Sequence, residues 1–167
     1  MPGPAPRALI WGVPTAILLH NIEEALTFAR YAPNVVALIP GAIRPQMPDV
    51  GVVYAALAVA TAIPIALAFI ARRQTTGGWA IYGLLLVAAV MLVNVVWHVT
   101  AAILLRGYAP GVATGVAINA PIMTLALRKG HNDGWLTTGT LLMYLAIGVM
   151  LHGAGLLALF AFRTFAE

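Results

Sequence analysis

The chain has no cysteine and very little charge. Without cysteine there is no disulfide framework, no thiol nucleophile, no iron–sulfur cluster and no cysteine-ligated zinc. Charged residues make up 8% of the 167 positions, against about a quarter in an ordinary soluble domain, so the chain cannot build a water-facing surface. Acids are the scarcest: Glu23, Glu24, Asp49, Asp133 and Glu167 are all there are. The nine Lys and Arg are scattered, without the basic run or the interleaved aromatics of a nucleic-acid groove. Nucleic acid is therefore excluded as a partner, and the net charge of +4 reads as membrane anchoring.

What is present is apolar. Hydrophobic residues account for 62% of the chain, which assigns the single domain 1–167 to a bilayer. About 20 apolar residues span a hydrocarbon core of about 30 Å as helix, and five such runs occur, roughly at 8–29, 51–71, 78–105, 111–127 and 135–162. The expected fold is all-α, a polytopic membrane protein with a bundle of about five transmembrane helices. The first run continues through Glu23 and Glu24 with no small-residue cleavage site, so it reads as a mature helix and not a signal peptide. Residues 30–50 carry Pro33, Pro40, Pro45 and Pro48 around an apolar 35–39. That stretch reads as an interfacial lid or short re-entrant segment. Arg7, Arg72, Arg73, Arg128 and Lys129 fall on one side, and Arg30, Arg44, Arg106 and Arg163 on the other. The side holding the paired charges is taken as cytoplasmic, which puts the N-terminus inside a cell (inner) membrane. Trp11, Trp79 and Trp135 read as interface anchors, Gly111, Gly115 and Asn119 as a close-packing stripe, Pro64 and Pro121 as kinks, and His131 as a solvated loop residue.

Ionisable side chains at bilayer depth are costly and usually functional. His20, Glu23 and Glu24 share one helical face by their spacings of three and four. Asn94 and His98 share a face of the third segment, and His152 sits among small residues on the fifth. These three segments cross the membrane in the same direction, so equal distance from their starts means equal depth. All of these residues lie roughly 12 to 20 residues in, a single slab near Tyr108. A carboxylate pair there needs a proton or a cation. Imidazoles with carboxylates match a divalent metal, zinc or iron, with His20, Glu24, His98 and His152 as ligands. Glu23 and Glu24, with Asn94 and Tyr108 to orient substrate or water, are the candidate catalytic groups.

His20-x-x-Glu23-Glu24, Asn94-x-x-x-His98 and Tyr108-x-Pro110-Gly111 resemble, in order, the three signature motifs of the HXXEE domain family of small prokaryotic integral membrane proteins. The matching region, 20–111, covers more than half the chain. The resemblance implies that these positions form one site and names no reaction. His152 is outside the motif set and enters on depth alone. The expected function is a membrane-embedded, metal-dependent enzyme acting on a lipid or other apolar small molecule that enters laterally. A metal-free acid–base isomerase or cyclase, and a proton-coupled transporter or lipid-binding protein, are the alternatives. Membrane lipids, the apolar substrate and a second copy of the chain are the expected partners.

Overall fold

The computed structural model describes residues 7–39, 41, 47–74 and 78–161, with side chains described between 9 and 153. Its regular elements are α1 (Arg7–Ala37), α2 (Val50–Ala71), α3 (Trp79–Leu105), α4 (Val112–Thr114), a π turn (Gly115–Asn119), α5 (Ala120–Asn132) and α6 (Thr138–Ala161). No strand occurs among the described residues. Because α4, the π turn and α5 follow one another without a break, the described chain forms five helical rods. Two of them, α2 and α3, are long and apolar enough to cross a membrane. A shorter apolar stretch, Thr138–Gly153, lies in α6.

The boundaries of α2 and α3 fall where the apolar runs predict them. Asp49 caps α2, its Oδ1 accepting from the backbone of Gly51 at 2.8 Å and Val52 at 3.2 Å, donors that no helical turn can satisfy. The first helix departs from expectation. It does not stop at 29 but continues through Arg30 and Pro33 to Ala37, so the first part of the expected 30–50 lid is helix. A proline inside a helix forfeits one hydrogen bond and crowds the carbonyl four residues back. Burying Ala32 and Val36 on either side of Pro33 offsets that cost. Of the remainder of the lid reading, Pro40 and 42–46 with Arg44 and Pro45 lie outside the described residues. Arg163 and the end of the fifth predicted segment also lie outside them, as does the Arg7 side chain.

The fourth and fifth rods are also displaced. The stretch 128–134 that separates the fourth and fifth apolar runs is mostly the last turns of α5, and the chain reverses only after Asn132. Trp135 is consequently no interface anchor: it is buried, its ring edge-on to Tyr82 at 5.6 Å. Trp11 and Trp79 are exposed, as an anchor would be. His131 is exposed, with Nδ1 3.0 Å from the Leu136 carbonyl. Gly111, Gly115 and Asn119 are all buried, and a Cβ at either glycine would meet His20, so the expected close packing is present even though Gly111 lies before the helix at φ 77° and a π turn intervenes. That turn has its own cause: Pro121 would crowd the Ala117 carbonyl in a regular helix. The widened turn, closed by Ala120 N–H on the Gly115 carbonyl, relieves the crowding.

Helix α3 is the central rod, packed against α1, α2, α5 and α6. Its small residues Ala80, Ala88 and Ala89 are fully buried and let neighbours approach closely. Gly148 of α6 does the same, for a Cβ there would lie 3.1 Å from the Val90 backbone. The apolar core, which includes Ile10, Val13, Ile17, Ala68, Leu84, Met123 and Trp135, occupies one half of the bundle. The later residues of α1 and α3 extend beyond it, and there the polar side chains gather. Asn21 marks a different face, its Nδ2 donating to Thr61 Oγ1 at 2.7 Å and to the Leu57 carbonyl at 3.2 Å on α2. Replacing it by Leu is expected to cost about 1 kcal/mol in thermal unfolding in detergent while leaving the neighbouring His and Glu chemistry intact.

Candidate metal centre

The adjacent residues Glu23 and Glu24 point about 100° apart around α1, and the structure gives them different work. Glu23 faces the start of α4. Its Oε1 accepts from the Tyr108 hydroxyl and from Ala113 N–H at 3.1 Å. Its Oε2 accepts from Thr114 N–H at 2.6 Å and from the Thr114 hydroxyl. The first amides of a helix have no partner within it, and Gly111 at the N-cap position offers no side chain. Glu23 supplies the missing cap from another helix, with the favourable charge for an N-terminus. Burial, and then the Glu23 carboxylate, hold the Tyr108 phenol above its ordinary range, so it is a hydrogen-bond donor at neutral pH.

The Thr114 hydroxyl links this cap to the histidines. Its single hydrogen goes to Glu23, so toward His20 Nδ1, 3.1 Å away, it can only accept. His20 therefore carries its proton on Nδ1 and presents a bare Nε2. That atom is buried and has no hydrogen-bond partner among the described residues; the same holds for His98 Nε2.

Both nitrogens converge on Glu24. His20 Nε2 is 3.8 Å and His98 Nε2 is 4.0 Å from Glu24 Oε2, beyond hydrogen-bond range. The two imidazoles meet edge to face with ring centroids 5.0 Å apart. One ligand atom from each of His20, Glu24 and His98 lies within 4.8 Å of the other two, so the group can hold a metal ion. Tetrahedral ligands at about 2.0–2.2 Å from an ion stand roughly 3.3–3.6 Å apart, a small contraction of the spacings to Glu24. Gly111 closes one side. A Cβ there would lie 2.8 Å from His20 Cε1 and 3.0 Å from His98 Cε1, so only glycine admits both rings and the positive φ.

Beside this centre is a cavity of about 160 Å³, with Glu24, Asn94, His98 and His152 among its lining. Asn94 is buried with its Oδ1 unpartnered. His152 stands on the cavity wall, stacked on Trp97 at 5.9 Å, and is not one of the three clustered ligands. The structure thus gathers His20, Glu24 and His98 as a possible ligand set, puts Asn94 and His152 on the adjoining cavity, and assigns Glu23 and Tyr108 to the clamp on α4. Thr114 was not foreseen. Its one sequence signal is a hydroxyl three residues past Gly111 in an otherwise apolar segment.

The chain is, in class, a helical bundle carrying a buried histidine–carboxylate centre that opens on an apolar cavity. It belongs to the HXXEE family, described as "Protein of unknown function with HXXEE motif", whose profile matches residues 11–126. No curated protein and no solved structure matches it. The matched region takes in Thr114, the clamp and the three clustered ligands, while His152 lies beyond it.

The two glutamates should respond oppositely to amidation. Glu23→Gln sets an NH₂ group against donors of the clamp and should lower stability by about 1–3 kcal/mol. Glu24→Gln breaks no hydrogen bond and, in protein stripped of metal by a chelator, should leave the unfolding midpoint unchanged or raised. Thermal melts of both variants in the same detergent check this.

Proposed function

We propose that this protein is a membrane-embedded, metal-dependent enzyme acting on a lipid or other apolar small molecule. In this reading all five rods cross a cell (inner) membrane, with the N-terminus cytoplasmic. His20, Glu24 and His98 hold a zinc or iron ion. The observation that carries the proposal is the pair of buried, unpartnered Nε2 atoms aimed at one carboxylate oxygen beside a cavity. Unpaired buried polar atoms are costly, and a cation among them removes the cost at all three at once. Two neutral imidazoles and one carboxylate are a donor set common to zinc and non-haem iron, with coordination positions left for water and substrate.

Such an ion would act as a Lewis acid, polarising a substrate oxygen or activating water. The protein's own groups do the rest. Glu23 and Thr114 hold His20 in the ligating tautomer, a role that outer hydrogen-bond partners of metal-bound histidines commonly fill. Asn94 offers an amide to a substrate oxygen, and the apolar walls keep bulk water out. Tyr108 holds the loop that carries Gly111. The 3.8 and 4.0 Å separations favour this reading over a metal-free acid–base relay, which would place Glu24 in direct hydrogen bond with an imidazole.

Untagged protein purified in detergent should contain close to one equivalent of zinc or iron by elemental analysis. His20→Ala and His98→Ala should lose it. Thr114→Val should weaken metal affinity by about 10- to 100-fold, and Thr114→Ser should restore it. Absence of stoichiometric metal, together with a melting temperature indifferent to chelators, would overturn the proposal.

A further inference from the structure

The cavity has a polar end and an apolar end. Glu24, Asn94 and His98 mark the first. From there it follows α1 past Phe28 and Ala32 to Val36 and α3 past Trp97 to Ala101. Twelve residues of helix separate Glu24 from Val36, an axial distance of about 18 Å. A volume of about 160 Å³ spread along that length leaves room for a thin occupant. An engineered cavity of about 150 Å³ takes one benzene, so the enclosed part holds about six carbons. One slender chain matches a narrow groove of that length.

His152 adds a second polar contact at the wall. It lines the cavity and is held face to face with Trp97. Asn94 Oδ1 is buried and unpartnered. A head group carrying both an acceptor and a donor would satisfy the two.

We propose that the cavity binds a single-chain amphiphile: an oxygen-bearing head group, such as a carboxylate, ester or alcohol, at Glu24, Asn94 and His98, and one alkyl or isoprenyl chain lying between α1 and α3. This rests on the metal-enzyme reading above, since the head group is placed against the ion held by His20, Glu24 and His98. It adds the substrate's shape: one chain, polar end inward, with Trp97 beside it.

The test uses zinc-loaded full-length protein in detergent, with acetohydroxamate, hexanohydroxamate and octanohydroxamate as probes and tryptophan fluorescence as the readout. The hydroxamate group chelates the ion and the tail explores the cavity. Wild-type protein should bind all three, and Trp97→Phe should abolish the fluorescence response while binding measured by calorimetry persists. Ala32→Phe and Ala101→Phe narrow the apolar end from opposite sides. Each should weaken octanohydroxamate by about tenfold or more, the burial of roughly two methylenes, and leave acetohydroxamate and zinc content unchanged. Comparing variants in one detergent cancels partition of the probes into micelles. If acetohydroxamate binds, zinc is retained and neither phenylalanine variant discriminates between the probes, the single-chain proposal is overturned. If the protein takes up no zinc and binds no hydroxamate, the metal-enzyme reading is what fails.

Discussion

The carboxylate of Glu23 is the interaction on which the arrangement of the site depends. It stands on α1 and accepts four hydrogen bonds from Tyr108, Ala113 and Thr114. Those donors include the open end of a helix that has no capping side chain of its own. In an apolar surrounding, unpaired amides are expensive, so this contact fixes the height of α4 against α1. Two consequences follow from that height. Gly111 arrives over the two imidazoles, and Thr114 arrives beside His20 Nδ1. The ring is thereby oriented with its free nitrogen toward Glu24.

The scarcity of charge has a physical sense in this arrangement. Of the four acids among the described residues, Asp49 caps α2 and Asp133 pairs with Lys129 at 2.9 Å, both at helix ends. Only Glu23 and Glu24 lie within the bundle's polar half. One is saturated by donors and the other faces two bare imidazole nitrogens. The opposite half of the bundle is close-packed with alanine, valine, isoleucine and leucine. The packed half holds the rods rigidly enough for the other half to keep a cavity and unpartnered polar atoms. Rigid support of this kind is what a preorganised site requires.

Much of this was legible before any coordinates. The ends of α2 and α3 could be read because the apolar runs are closed by Arg72, Arg73 and Arg106, whose charge is costly among apolar surroundings, and the start of α3 because Gly77 and Gly78 break the run before it. The convergence of His20, Glu24, Asn94, His98 and His152 on one region could be read from depth, since parallel rods put equal offsets at equal heights. The extension of α1 past Pro33 could not, because it depends on what buries Ala32 and Val36. Nor could the burial of Trp135, which follows from where α5 ends.

The helical class, the family and the small set of polar residues able to do chemistry are written in the chain itself. Each of those rests on composition or on spacing along one chain. Which glutamate caps a helix and which faces the histidines follows from the packing of the helices, because adjacent residues on a helix are equivalent in spacing and differ only in direction. That packing also decides that Thr114 completes the site and that His152 stands on the cavity wall apart from the ligand cluster. Those are facts about the rotation and relative height of separate rods, which no periodicity within a single segment encodes.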